Sequence, residues 1–296
     1  MFAMLSKVER LNLPIDMQLS LYDQLVVPVL LYGCEIWGFS NMDRVELFQR
    51  VFLKYILKVY KRTAKAIVNG ETGRLKLEYT IAKRTISFWH KIKFGKSNKI
   101  SCTLFNLLES LYDNDVFKSK WCSNVYKILN NAGLSHVWSS RNVNLTTLQS
   151  VLCQRLLDIH TQHWTNEIGA NILCTNYRMF KTSFGFQNYL KILPNNLRIS
   201  LTKFRCGSHN LPISNARYNE IDERNICTLC KVDVGDKFHC LFVCPALTFQ
   251  RSRFLRPFYC VRPNAVKFKL LMESSDRKTL ITLSKFVKFI LYIFRP

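Results

Sequence analysis

Apolar side chains recur every three or four residues through much of the chain, which is the spacing of one face of an α-helix. In the first half of the chain this pattern predicts six helices, near residues 14–33, 41–61, 77–94, 103–112, 116–130 and 145–168. Pro28 lies inside the first of them and has no backbone N–H to donate, so we expect a kink or a break there.

The helical pattern weakens over 169–193, where Asn, Tyr, Phe and Gly are mixed, and we expect a linker or domain boundary near 170–195. Beyond it, a short basic helix is predicted over 194–206, loops over 208–265 and a last helix over 276–294. The chain is therefore predicted to be mainly α, with three consecutive regions: a helical bundle over 1–100, a helical connector over 101–193, and a helical C-terminal domain over 194–296.

Charge is the outlying property of the composition. The 296 residues include 43 Lys and Arg against 20 Asp and Glu, which gives a net charge of +23. An excess of this size repels itself on folding, and its usual role is to bind a polyanion, nucleic acid ahead of an anionic membrane. No signal-peptide pattern and no apolar run long enough to span a bilayer occurs. We therefore expect an intracellular protein of the cytoplasm or nucleus without a membrane partner.

Four of the eleven cysteines fall close together with a histidine. The segment reads C-x2-C-x8-H-x4-C, and the other seven cysteines are scattered without a pairing pattern, as reduced thiols are. Zn²⁺ needs four such ligands in a tetrahedron, and a closed set leaves no position for water, so the predicted role is structural. The predicted zinc ligands are Cys227, Cys230, His239 and Cys244. Cys240 is an alternative to His239, and a chance cluster of cysteines is an alternative to the whole site.

Basic and aromatic residues flank this segment. All five acidic residues of 198–269 fall between 220 and 236, which leaves the flanks positive. Interleaved Phe204, Phe254, Phe258 and Tyr259 are suited to stacking on bases while cations meet phosphates. The alternative is a solvated charged face over ordinary core aromatics. The predicted nucleic-acid contacts, which include four from the first region, are Lys58, Lys61, Arg62, Lys65, Arg198, Lys203, Arg205, Arg251, Arg253 and Arg256.

The sequence gives no support for a catalytic site. It has no adjacent pair of aspartates for two-metal chemistry, no phosphate-binding Gly-rich loop and no hydrolase motif. His160 and His163 share a predicted helix face, but no further residue completes a ligand set, and we expect one to be exposed and the other packed beside Trp164. We therefore predict neither catalysis by this chain alone nor a small-molecule substrate.

Several segments together resemble one protein family. They are LNLPIDMQLSLYDQLVVPVLLYGCEIWG (11–38), RVFLKYILKV (50–59), NGETGRLKLE (69–78) and above all KFRCGSHNLPISNARY, CTLC and GDKFHCLFVCP within 203–245. They are similar to the C-terminal part of the reverse transcriptases of non-long-terminal-repeat, LINE-like retrotransposons. The similarity covers nearly the whole chain and is weakest between 100 and 195.

This resemblance implies a helical thumb over 11 to about 100 that contacts template or primer, followed by a C-terminal domain with a CCHC zinc knuckle. It assigns zinc to Cys227, Cys230, His239 and Cys244 and leaves Cys240 at a non-ligand position. In that family the polymerase palm with its catalytic aspartates lies upstream, and this chain lacks it. We then interpret Met1 as an internal start within a truncated or decayed copy of such a retrotransposon.

The leading hypothesis is accordingly a zinc-knuckle fragment that binds RNA or an RNA/DNA hybrid without doing chemistry. A second hypothesis treats the chain as the non-catalytic part of an active RNA-directed DNA polymerase, with the upstream polymerase domain of the same element as its partner. A third is a zinc-stabilised protein-interaction module, in which the knuckle and the 276–294 helix bind another chain.

Overall fold

The computed structural model describes residues 13–40, 42–95, 100–215 and 225–294. Within them the chain is mainly α, as predicted, and the only β pairing consists of two isolated bridges, Thr72 with Phe186 and Ile226 with Val234. No helix in the described ranges combines the length and the apolar character needed to cross a membrane.

Sixteen α-helices are present among the described residues. In chain order they are α1 (Ile15–Leu21), α2 (Val27–Leu30), α3 (Cys34–Trp37), α4 (Met42–Leu57), α5 (Lys65–Thr72), α6 (Leu77–Phe94), α7 (Ile100–Asp113), α8 (Lys120–Asn131), α9 (Leu145–Ala170), α10 (Thr175–Arg178), α11 (Tyr189–Ile192), α12 (Asn195–Arg205), α13 (Thr248–Phe254), α14 (Pro257–Cys260), α15 (Ala265–Met272) and α16 (Arg277–Ile293).

The chain forms two compact units. Among the described residues, the major unit comprises 13–21, 50–74, 164–215 and 225–294, and the minor unit comprises 22–40, 42–49, 75–95 and 100–163. Two long helices, α4 and α9, each contribute residues to both units. The three consecutive regions drawn from the sequence therefore do not coincide with these units, because the first region supplies residues to both of them.

The chain breaks around Pro28, as the sequence predicts. A π-helical turn over Tyr22–Val26 precedes α2, which carries Pro28 at its start and ends after only four residues. Gly33 then adopts a left-handed conformation with φ of 64°, which a glycine reaches without steric cost, and the chain continues into α3. The predicted long first helix is consequently three short ones.

The core of the minor unit is aromatic. Trp138 stacks on Trp89 with ring centroids 5.9 Å apart, and the rings of Phe105, Tyr112 and Tyr126 meet Trp138 at steeper angles. These rings come from α6, α7, α8 and, for Trp138, the residue directly after the 3₁₀ turn Ser135–Val137. Burying large rings in edge-to-face contact is favourable through both area and quadrupole interactions.

The core of the major unit contains a buried ion pair. Glu71 of α5 and Arg205 of α12 are both fully buried, and two guanidinium nitrogens donate to the carboxylate at 2.9 and 3.0 Å. Tyr189 donates its hydroxyl to the same carboxylate, and Arg205 also donates to the carbonyl of Met272. Burial alone would raise the pKa of Glu71, but the charge and hydrogen bonds of Arg205 outweigh it and hold that pKa below its ordinary value.

The last helix docks on this core. Asp276 caps α16 by accepting from the backbone of Lys278 and Thr279. The buried face of α16 packs against α12, and its fully buried apolar side chains are Leu280, Leu283, Phe286, Val287 and Ile290. The prediction of a docking helix over 276–294 is confirmed to within a residue at each end.

Candidate metal centre

A tight turn presents the first two candidate ligands, Cys227 and Cys230. The turn is closed by a hydrogen bond from the Lys231 amide to the Cys227 carbonyl at 2.8 Å, and the Cys227 amide donates to the Asp233 carbonyl at 2.8 Å. Lys231 adopts φ of 55°, the left-handed conformation that reverses the chain directly after Cys230. Both thiols therefore point from one turn, as a zinc knuckle requires.

A π-helical turn over His239–Val243 presents the other two. The Cys244 amide donates to the His239 carbonyl at 2.8 Å and closes this wider turn. On a regular α-helix, positions five apart lie about 140° apart around the axis, on different faces. The π turn contains more residues per turn and brings His239 and Cys244 to the same side. Asp236 accepts from the His239 amide at 2.7 Å and fixes the start of the turn.

The four candidate ligand atoms converge. They all lie within 4.8 Å of one another, with Cys227 Sγ 3.9 Å from Cys244 Sγ and Cys230 Sγ 3.3 Å from His239 Nε2. In a tetrahedral site with Zn–S bonds of about 2.3 Å, two sulfur ligands lie about 3.8 Å apart. This group could therefore hold a metal ion.

His239, rather than Cys240, belongs to this group. Cys240 is fully buried outside it, and burial raises the pKa of its thiol strongly, with the neighbouring cysteines adding to the effect. Spacing alone left this choice open, because it does not show the π turn that selects the side chains five apart.

Local electrostatics differ between the thiols. Burial acts to raise the pKa of Cys230, but hydrogen bonds from the backbone of Val232 and Asp233 and from the other two thiols outweigh it, so its pKa lies below the ordinary value. Burial, followed by the nearby Cys227, raises the pKa of Cys244 to about 12. Backbone amides thus favour a thiolate at Cys230, while burial and the closely packed sulfurs oppose one at Cys244.

The imidazole of His239 is positioned as a neutral ligand. Its Nε2 faces Cys230, and burial lowers its pKa. Its Nδ1 makes no hydrogen bond and lies 3.9 Å from an Asp233 carboxylate oxygen. A carboxylate beside the second ring nitrogen is the usual arrangement around metal-bound histidines, because it fixes the orientation of the ring.

The candidate centre is tied to the core of the major unit. Lys237, two residues before His239, is buried and donates to the Arg205 carbonyl at 2.9 Å, and burial lowers its pKa to about 8. Gly235 lies against the ring of Pro212, where an added Cβ would come within 2.6 Å of Cγ. The loop that carries the ligands therefore has little freedom to move.

Three of the predicted nucleic-acid contacts are buried, which corrects that part of the prediction. Arg198, Arg205 and Arg251 are at most 6% exposed. Arg205 pairs with Glu71, Arg251 donates to two carbonyls, and Arg198 donates to the Ile56 carbonyl and the Asn195 side chain. Guanidiniums held inside the protein stabilise the fold and do not meet phosphates.

The remaining predicted contacts reach the surface. Lys58 and Lys203 are half-buried, and the exposed ones are Lys61, Arg62, Lys65, Arg253 and Arg256. Two of the cations lie over tyrosine rings, Lys58 over Tyr55 at 4.1 Å and Arg62 over Tyr60 at 5.3 Å. Arg256 also pairs with Asp276 at 3.0 Å, in an exposed contact.

One solvent-exposed aromatic residue was not predicted from the sequence as a nucleic-acid contact. Phe249 of α13 is 73% exposed and lies one turn before the exposed Arg253, and Phe258 of α14 is 57% exposed. By contrast, Phe204 is fully buried, and Phe254 stacks on Phe286 with centroids 6.0 Å apart. The available signal was the spacing of Phe249 and Arg253, four residues apart on one helix face.

The two helical histidines do not form a second metal site. His160 is buried with its ring edge-on to Tyr79, at a centroid distance of 5.2 Å, and His163 is exposed. One histidine is packed and one is exposed, as expected, and Tyr79 is a packing partner of the buried one.

Comparison of the chain with protein-family models, with curated protein sequences and with solved structures finds no match.

Proposed function

We propose that the chain binds RNA or an RNA/DNA hybrid through a surface built on a structural zinc centre. Three thiols and one imidazole are a donor set that zinc prefers in tetrahedral structural sites. Cys227, Cys230, His239 and Cys244 would fill all four positions, so the ion would stabilise the fold and perform no chemistry. The resemblance to LINE-like reverse transcriptases suggests the same ligand set.

The observation that carries the proposal is the surface that follows the metal centre. We call the exposed side chains of Phe249, Arg253, Arg256 and Phe258 the stacking surface. Phe249 and Phe258 are exposed and lie close in sequence to Arg253 and Arg256, on a chain with a net charge of +23, and aromatic rings beside cations are what single-strand binding sites use. Bases stack on such rings while phosphates meet the arginines, which is how single strands are bound without sequence readout.

Binding of labelled single-stranded RNA, the matching DNA and an RNA/DNA hybrid, measured by fluorescence anisotropy across a salt series, tests this function. Affinity should fall steeply with salt, with a log–log slope of about −0.7 for each phosphate neutralised on a single strand. Phe249→Ala and Phe258→Ala should each weaken binding by about 1–3 kcal/mol at an unchanged slope.

Two exposed residues of the minor unit serve as matched controls. Phe117→Ala removes an aromatic ring that is 53% exposed, and Arg141→Gln removes an exposed guanidinium. Neither should affect binding beyond the small effect of net charge. If the two phenylalanine variants bind as Phe117→Ala does, or if wild-type protein binds no polynucleotide at low salt, the proposed function is wrong.

One observation favours a second candidate function, association with another protein domain. In the minor unit four apolar side chains along α2, α3 and the turns beside them are each more than half exposed: Leu25, Val29, Tyr32 and Ile36. If the chain acts beside an upstream polymerase domain, a separately expressed palm of a LINE-like element should bind it. Val29→Asp with Tyr32→Asp should abolish that binding, and Phe249→Ala should leave it unchanged.

A further inference from the structure

Arg251 connects the metal-ligand turn to the helix that carries the stacking surface. It is 6% exposed, and its Nε donates to the Leu241 carbonyl at 2.8 Å while its Nη2 donates to the Cys244 carbonyl at 2.7 Å. Both carbonyls lie at the carboxyl end of the π turn that begins at His239. A single guanidinium therefore holds the backbone of a candidate ligand and is itself part of α13.

Side chains of α13 lie on two different faces of the helix, one exposed and one buried. Phe249 and Arg253 are four residues apart and share its exposed face, whereas Arg251 lies between them in sequence and points inward. The contacts of Arg251 therefore help to fix the helix backbone that carries Phe249 and Arg253, because all three residues belong to the same short helix.

The other anchor of α13 lies at its carboxyl end. Phe254 stacks on Phe286 of α16, and the next residue, Leu255, is buried. This contact does not involve the metal-ligand turn. Loss of the Arg251 contacts would therefore free the part of α13 that carries Phe249 while leaving its carboxyl end in place.

From these contacts we infer that Arg251 is a positioning residue that makes the stacking surface depend on metal binding. An ion that closes the ligand set fixes His239 and Cys244, and with them the two carbonyls that Arg251 requires. Without the ion the turn loses its constraint, the guanidinium loses its acceptors, and α13 no longer presents Phe249 and Arg253 in a fixed geometry. The inference rests on the proposed function for its consequence, but its structural part stands on the contacts alone.

Hydrogen exchange of the α13 amides with and without zinc tests the structural part directly and needs no nucleic acid. In wild-type protein, removing zinc should reduce the protection of α13 by about tenfold or more, the factor expected for losing a charge-assisted hydrogen bond. In Arg251→Gln that protection should already be low with zinc bound and should change little on chelation. Arg253→Gln, two residues away on the exposed face, should keep the wild-type response to zinc.

The zinc content of each variant distinguishes a loss of the Arg251 contacts from a loss of the ion itself. Zinc stoichiometry by metal analysis should stay at one ion per chain in Arg251→Gln, because the side chain is not itself a ligand. Arg251→Lys, which supplies one ammonium in place of a two-pronged donor, should recover only part of the protection and provides a second variant if Arg251→Gln does not fold.

Two results would overturn the inference. One is a zinc-dependent protection of α13 in Arg251→Gln or Arg251→Lys equal to that of wild type, and the other is protection in wild type that does not respond to zinc. RNA binding is scored separately on the same proteins. If wild type binds no RNA while the exchange pattern is as expected, the proposed function fails and the link through Arg251 stands.

Discussion

The two units are stabilised by different means. The minor unit is organised around stacked aromatic rings, with Trp138 in contact with rings from three helices. The major unit buries a Glu71–Arg205 ion pair and the ammonium of Lys237, and it contains the four candidate metal ligands, three of them buried. Apolar burial is non-directional and tolerates small displacements, whereas buried charges and ligands depend on every partner being in place. Changes to the buried charges or to the metal centre should therefore destabilise the major unit more than the minor unit.

Metal removal should have the largest effect. Structural zinc sites contribute about 10–16 kcal/mol of apparent binding free energy at neutral pH. Chelation, or Cys227→Ser, should abolish the protection from hydrogen exchange of the amides in the two ligand-bearing turns, 225–244, while those around Trp138 in the minor unit keep theirs. Cys260→Ser, which alters a cysteine outside the ligand set, is the control. Equal loss of protection in both units would show that they do not fold independently.

Breaking the buried ion pair should have the next largest effect. Arg205→Met leaves the carboxylate of Glu71 buried without its partner, and removal of one member of such a pair costs about 3–5 kcal/mol. Glu71→Leu combined with Arg205→Met should recover much of this loss, because no charge is left buried. Urea unfolding of the major unit, followed through Trp164, measures both. A double variant as unstable as the single one would contradict this account.

Lowering the pH should reduce the stability of the minor unit. Burial lowers the pKa of His160 to about 4, from 6.5 in an unfolded chain. Because its folded pKa is depressed, the unfolded state binds the proton more readily, and stability is lost as the pH falls from about 6.5 towards 4. The expected loss is about 2–3 kcal/mol at 1.36 kcal/mol for each pH unit, and His160→Gln should flatten this dependence. Unfolding midpoints across that range measure it, with His163→Gln as the exposed control.

A single added methyl group should have the smallest effect of the four. Gly235→Ala would place a Cβ 2.6 Å from Pro212 Cγ. Overpacking of this kind costs about 1–3 kcal/mol, and here it should also weaken zinc affinity, because Gly235 lies between the two halves of the ligand set. Competition with a chelator measures the affinity. Gly169→Ala, where an added Cβ has no atom within 4 Å, should change neither property.

The sequence was most informative where the structure is local. The predicted bounds of α6 coincide with the observed helix, and those of α16 agree to within a residue at each end. The four candidate metal ligands were predicted from their spacing, with Cys240 left as an alternative to His239, since both halves of the set come from short turns.

Contacts between residues far apart in the chain could not be predicted from the sequence. Nothing near Arg205 in the chain indicates that Glu71, 134 positions earlier, accepts its hydrogen bonds. Without that knowledge Arg205 looks like any other surface cation. The division into two units was missed for a related reason, because each unit is assembled from separate stretches of chain.

The Glu71–Arg205 pair also limits where the chain can be divided when shorter fragments are expressed. A piece beginning near residue 194 would keep every metal-ligating side chain and the whole stacking surface, yet it would contain the guanidinium without its carboxylate. Such a piece would have to expose that arginine to water or neutralise it by other means. Expression boundaries chosen to isolate the carboxyl-terminal third should therefore retain the stretch around Glu71, supplied on the same chain or as a separate peptide.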